Sequence, residues 1–312
     1  MPRPDVSDLI ARRDQVLLSF FGVETDIIYS RGVDLPGFAT FPLLEEPAGR
    51  SLLKGYLREL VDIARVRGAG ALLDTCTWMA NPDRAATLGY APADLAAVHV
   101  AAVRAAAEVR DANPDVLTLV SGQLGPRRDG YRSDSDFSAD DAHAYHAAQV
   151  EAMAAAGADL VMAATISDVD EAIGIVRAAA DASVPVLVAF TVETDGRLPS
   201  GALLRDAISA VDAATAASAA GYLVNCAHPD HVALALDGAT PTPRLVGVVV
   251  NASRQSHAEL DAATRLDAGD PQELADGVAS LRTLNPQFTV LGGCCGTSMR
   301  HMDCIAERVL RG

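Results

Sequence analysis

The sequence predicts a closed parallel α/β barrel, the (β/α)8 or TIM-barrel fold, as one domain over residues 1–312. Three observations lead there. Eight short runs rich in Val, Leu and Ile alternate with Ala-rich segments of helical period; each run ends in small or polar residues; and the runs are continuously apolar, as strands covered on both faces are. The strands fall at 16–22, 71–75, 116–122, 159–165, 184–191, 221–226, 245–251 and 288–294. Helices are expected at 51–67, 94–111, 139–156, 169–182, 203–219, 271–284 and 298–311. Gly68 and Gly157 stand where a left-handed residue closes a helix, and Pro271 where a first-turn proline fits. Long loops after the first strand (23–50) and the third (123–138) are rich in Gly, Pro, Asp and Tyr, and loops at that end of a barrel commonly carry function. An open doubly wound sheet is the competing arrangement, but no GxGxxG turn follows the first strand.

Composition bounds the partners. The 25 Lys+Arg against 41 Asp+Glu give a formal charge of -16, which repels phosphate backbones and anionic lipid surfaces, so neither nucleic acid nor a membrane is an expected partner. No run of about twenty apolar residues is present. Residues 1–5 (MPRPD) lack the basic-then-apolar pattern of a secretory signal, and a cytoplasmic location is the expectation. Five cysteines, two of them adjacent, cannot all pair within the chain, which favours thiolate chemistry or metal binding. Cys304, inside the last expected helix, reads as a small buried hydrophobe.

In such a barrel the chemistry gathers at the carboxyl ends of the strands. The sixth strand closes with Val224-Asn225-Cys226, and the eighth with Gly292-Gly293-Cys294-Cys295-Gly296-Thr297; the two flank the seventh, so their tips converge. Neighbouring strand residues face opposite ways, but Gly292, Gly293 and Gly296 let the backbone leave strand geometry, so both sulfurs can turn toward one ion. Three thiolates leave one tetrahedral position open, as in catalytic zinc (Zn2+) sites. A thiol entering that position is stabilised as its thiolate, and three anionic ligands leave it enough electron density to attack an alkyl group without a general base. A vicinal disulfide of Cys294 and Cys295, with Cys226 merely packed, is the alternative reading.

The segment GGCCGT at 292–297, with Val224-Asn225-Cys226 before it, resembles the homocysteine S-methyltransferase family. That resemblance implies a zinc barrel with its metal on Cys226, Cys294 and Cys295, and transfer of a methyl group from a sulfonium or quaternary ammonium donor to a thiol such as homocysteine, the methionine-forming step. Softer similarities lie in Ser121, Gly122, Gly125 and Pro126, in Asn251, and in Asp74, Thr75 and Thr77 of the segment that lines the family's substrate pocket. Two departures stand out. Where the family has Asp-Gly-Gly after strand one, this chain has Phe20-Phe21-Gly22, and where it has Glu-Thr after strand four, this chain has Ala164-Thr165. Both partners of the acceptor's ammonium are therefore replaced, and an ammonium buried without a countercharge costs several kcal/mol. Glu24, Asp26 and Glu193 are near enough in sequence to substitute, which leaves the acceptor open between homocysteine and another small thiol or soft nucleophile. Demethylation at the same site, or a zinc-binding relative without turnover, are the rival functions.

Other residues divide between function and structure. Trp78, the only tryptophan, is either a cation-π wall for the methyl donor or core. Thr165, Glu193, Asn225 and Asn251 sit at strand ends as candidate substrate contacts, with Asn225 and Thr297 also suited to orient ligands. Asp195 before Gly196 reads as a turn. His228 reads as a loop or helix-cap residue, His143 and His146 as surface or packing residues, and the acidic group Asp134, Asp136, Asp140 and Asp141 as a solvated loop with helix capping. The partners expected are thus a small thiol and a small methyl donor, with homo-oligomerisation left open.

Overall fold

The computed structural model describes residues 6–132, 137–236 and 243–310. Its elements begin α1 (Val6–Ile10), β1 (Leu17–Phe20), α2 (Val23–Tyr29), α3 (Pro47–Arg67), β2 (Gly70–Asp74), α4 (Pro82–Thr87), α5 (Pro92–Asp111) and β3 (Thr118–Leu124). They continue α6 (Ala139–Ala156), β4 (Leu160–Ile166), α7 (Val169–Asp181), β5 (Val186–Phe190), α8 (Leu204–Thr215) and β6 (Gly221–Asn225). The last are α9 (Pro229–Leu236), β7 (Leu245–Val250), α10 (His257–Asp261), α11 (Pro271–Leu284), β8 (Val290–Gly293) and α12 (Met299–Leu310). All eight strands pair in parallel and in sequence order, and β8 closes on β1 through Leu17↔Val290 to Phe20↔Gly293. The expected (β/α)8 barrel is the fold, in a single domain.

Alternation within each strand separates two cores. Leu17, Leu72, Leu119, Met162, Leu187, Ala189, Leu223, Val249 and Val290 fill the barrel interior, while their neighbours, such as Leu18, Ala71, Val120, Val161, Val188, Val224 and Val248, pack under the helices. Both sets are buried, which is why the strands read as unbroken apolar runs. Val6, Leu9 and Ile10 of α1 join the interior cluster, so this helix covers one end of the barrel. Gly68 and Gly157 cap α3 and α6 in the left-handed conformation as expected. Two differences from the sequence reading concern helices. The expected helix 203–219 stops at Thr215, because Ala216 and Ala217 both turn left-handed. The expected loop 23–50 contains α2 and two short 3-10 turns, Pro36–Phe38 and Phe41–Leu44, that fold over the barrel mouth. Among the described residues no helix is long and apolar enough to cross a membrane.

His99, on α5, is buried, and burial pulls its pKa down from 6.5 to about 4. The unfolded chain takes up a proton that the folded protein refuses, so stability is intact above pH 6.5 and falls as pH drops toward 4. Between pH 7 and pH 5 this amounts to about 2 kcal/mol. Urea unfolding at those two pH values should show the parent losing about that much more stability than His99→Leu; equal losses would mean that His99 is not held neutral.

Candidate metal centre and substrate cavity

β6 and β8 each stop one residue short of a cysteine, and both pair with β7, on its opposite edges. Their tips therefore meet above one strand. The Sγ atoms of Cys226, Cys294 and Cys295 all lie within 4.8 Å of one another, with Cys226 and Cys295 at 3.6 Å, and all three are free thiols. Beyond Gly293 the chain leaves the strand: the Cys294 N–H bonds to the Val250 carbonyl at 2.7 Å, Thr297 Oγ1 donates to the Cys294 carbonyl at 2.6 Å, and Gly296 turns left-handed at φ 78°. This turn points two adjacent side chains the same way.

Cys226 itself is left-handed, at φ 56°, a conformation that costs a non-glycine residue on the order of 1–3 kcal/mol and persists only where its surroundings over-determine it. They do. Its N–H bonds to the Val249 carbonyl at 3.0 Å, its carbonyl accepts from Asn251 Nδ2 at 3.0 Å and His257 Nε2 at 2.7 Å, and its Sγ meets Tyr131 Oη at 2.9 Å. The second His257 nitrogen lies 3.1 Å from Glu193 Oε1. A carbonyl and a carboxylate both accept, so the ring satisfies both only as an imidazolium. Burial works against that charge, but the bonds to Cys226 and Glu193 outweigh it and raise His257 to about 9.

Hydrogen bonds from Cys294 and Cys295 hold the Cys226 thiol well below the ordinary range, while bonding to Cys226 together with burial pushes the other two well above it. The donor set fits zinc. Zn–S bonds of about 2.3 Å at tetrahedral angles put sulfurs about 3.8 Å apart, close to the separation of Cys226 and Cys295, and all three donors are soft.

The cluster opens into a cavity of about 590 Å³. Of the residues anticipated as substrate contacts, Glu24, Trp78, Thr165, Asn225 and Asn251 line it. Glu24 is buried and accepts from Thr40 Oγ1 at 2.8 Å; burial raises its pKa. Asn251 Oδ1 is buried without a partner among the described residues. Asn225 bonds to Thr165. Its Oδ1 accepts from the Thr165 N–H at 2.8 Å and its Nδ2 donates to Thr165 Oγ1 at 2.9 Å, clamping a β-branched residue at φ 63°. The Trp78 indole lines the cavity with its N–H on the Ala164 carbonyl, 3.1 Å away.

Three anticipated contacts lie elsewhere. Asp74 and Thr75 line an adjoining crevice of about 40 Å³ that shares Phe21, Glu24 and Gln123 with the cavity. Asp74 pairs in register with Ser121, three residues before the end of β3, so it sits a layer below the mouth; it accepts from Ser19 Oγ at 2.7 Å, and burial pushes it up to about 7. Thr75 Oγ1 is taken by Thr77 Oγ1 at 2.7 Å and the Gln123 N–H at 2.8 Å. Glu193 holds His257 from behind, in a side crevice with His228 and His231. Asp26 is no substitute either: it turns to Tyr56 and Arg31.

At the departures from the family pattern, Phe20 faces the helix layer and stacks on Tyr56 at 6.1 Å, whereas Phe21 and Ala164 face the cavity. His228 accepts from the Asp230 N–H at the start of α9, as a cap would, and Asp195 closes its turn on the Arg197 N–H. His146 is a packing residue, buried against Glu171 at 2.9 Å, and His143 pairs with Asp181 near the surface. Asp140 pairs with Arg177 and Asp141 joins the Ser138 cap of α6, while Asp134 and Asp136 lie outside the described residues. The sequence reading missed Tyr131 and His257. The capping box Ser256-x-x-Glu259 marks a helix that starts at His257, and Gly130-Tyr131 after strand three marks a close backbone approach.

Comparison with known proteins agrees with this architecture. Residues 64–309 match the family model described as homocysteine S-methyltransferase. Among solved structures, the homocysteine methyltransferase MmuM from Escherichia coli is similar in its oxidized form (TM-score 0.76, 24% identity, covering 98% of this chain and 100% of that one). Its metallated form is similar too (TM-score 0.74, 24% identity, 94% and 96%). No curated protein sequence matches. The chain belongs to the homocysteine S-methyltransferase family.

Proposed function

We propose that this protein is a zinc-dependent thiol S-methyltransferase, with Cys226, Cys294 and Cys295 holding the metal and homocysteine as the preferred acceptor. The observation that carries this reading is the meeting of three free sulfurs at the floor of a substrate-sized cavity. Zinc bound there would stabilise an acceptor thiolate at neutral pH while leaving it nucleophilic.

The chain's own residues divide the remaining work. Glu24 is a buried carboxyl with little to offset its charge, and Asn251 Oδ1 is an acceptor with nothing to accept from among the described residues. Both line the cavity, and both suit the ammonium of an amino-acid thiol, which would replace the two family carboxylates lost at Phe20 and Ala164. Phe21, Tyr29, Phe38 and Trp78 give the cavity aromatic walls suited to a sulfonium or quaternary ammonium donor. Phe38 meets Trp78 edge-on at 6.5 Å, and Arg84 lies over the indole at 5.6 Å, so the tryptophan is braced. Thr165 and Asn225 set the floor between the two substrates through their mutual clamp.

The test is methyl transfer by zinc-loaded, reduced protein from S-methylmethionine or betaine to a panel of thiols. Homocysteine should be methylated, and Glu24→Gln should weaken its apparent binding about tenfold or more, read as a rise in KM, the cost of one charged hydrogen bond. With γ-mercaptobutyrate, the same thiol acid without the amine, that substitution should change nothing. Bound zinc with no transfer to any thiol contradicts the enzymatic reading, and equal effects on both thiols contradict the role of Glu24.

A further inference from the structure

The phenol oxygen of Tyr131 reaches the sulfur cluster, at 2.9 Å from Cys226 Sγ. Its ring stacks on His257, with centroids 3.9 Å apart and planes at 28°. Its backbone is fixed from the other side. A Cβ on Gly130 would lie 2.7 Å from the Thr165 carbonyl oxygen, so only glycine lets this loop settle on β4, and Thr165 is in turn clamped by Asn225. The Tyr131 N–H bonds to Asp129 Oδ1 at 3.0 Å. The phenol is thus aimed by three independent constraints, from the loop after β3, the end of β4 and α10.

Either atom of the contact could donate in principle, but a thiolate can only accept. A cysteine that binds a metal does so as its thiolate, so at a metal-holding Cys226 the phenol is the donor. We infer that Tyr131 is a positioning residue of the metal centre, whose O–H donates to Cys226 Sγ, draws electron density from that one ligand and fixes its direction. This inference rests on the zinc reading above. It makes the three sulfurs unequal: Cys226 would meet a metal as a sulfur already hydrogen-bonded to a phenol, less electron-rich but more readily held as its thiolate and in one direction. It also explains why His257 bonds the Cys226 carbonyl and stacks on the phenol at once, since one ring then sets both ends of the same ligand.

Cobalt(II) in place of zinc reads the sulfur orbitals directly. In Tyr131→Phe the ring and its stack remain while the hydrogen bond is lost, so the lone pair of Cys226 rises in energy. The sulfur-to-cobalt charge-transfer band should then move to longer wavelength, and zinc affinity, from chelator competition, should fall about tenfold, as for other outer partners of metal ligands. Tyr90→Phe, remote from the site, should change neither, and thermal melts verify that both variants fold. A Tyr131→Phe band and affinity equal to the parent's would overturn the inference while leaving the zinc reading intact. A parent protein that binds no cobalt would overturn both.

Discussion

The left-handed backbone at Cys226 is the constraint on which the site depends. A strand that continued regularly past Asn225 would send residue 226 to the face set by alternation, with its carbonyl along the sheet. Instead the residue turns, at a cost that Val249, Asn251, His257 and Tyr131 offset through bonds to its N–H, carbonyl and sulfur. These anchors come from β7, the loop beyond it, α10 and the loop after β3. The closed barrel brings those segments together, so the position of one sulfur is a property of the whole fold. The pairing of β8 with both β1 and β7 fixes the other two in the same way.

Charge is the second theme. Three sulfurs gathered in a buried pocket cannot all ionise without a cation, and the imidazolium of His257 is the protein charge bonded to the Cys226 backbone there. Glu24, across the cavity, adds a buried carboxyl whose charge burial disfavours and a cationic group beside it would restore. A site of this sign favours a metal ion on its floor and cationic groups above it, and excludes anions. The net charge of the chain points the same way at long range.

Most of the fold was legible because its strands are buried on both faces, and continuous apolar runs such as 245–250 leave little else to be. The three cysteines were legible because cysteine at two strand ends beside glycines has few packing explanations. What was hidden depends on rotation and on loops. Glu24 and Asp26 are two residues apart, yet on α2 they point about 200° away from each other, so one enters the cavity and the other meets Tyr56. A helix of seven residues shows too little periodicity to reveal that in sequence. Asp74 looked like a pocket residue, but strand stagger sets it a layer below the mouth. Tyr131 sits in a loop whose course is set by contact between Gly130 and Thr165, which no local pattern encodes.

The central claim is that Cys226, Cys294 and Cys295 bind a single zinc ion and leave one position for a thiol. Zinc K-edge X-ray absorption on the purified, reduced protein tests it most directly. The account predicts three sulfurs at about 2.3 Å with one lighter neighbour, and four sulfurs once homocysteine is added. A protein without zinc, or a spectrum with fewer than three sulfurs around the metal, would contradict it.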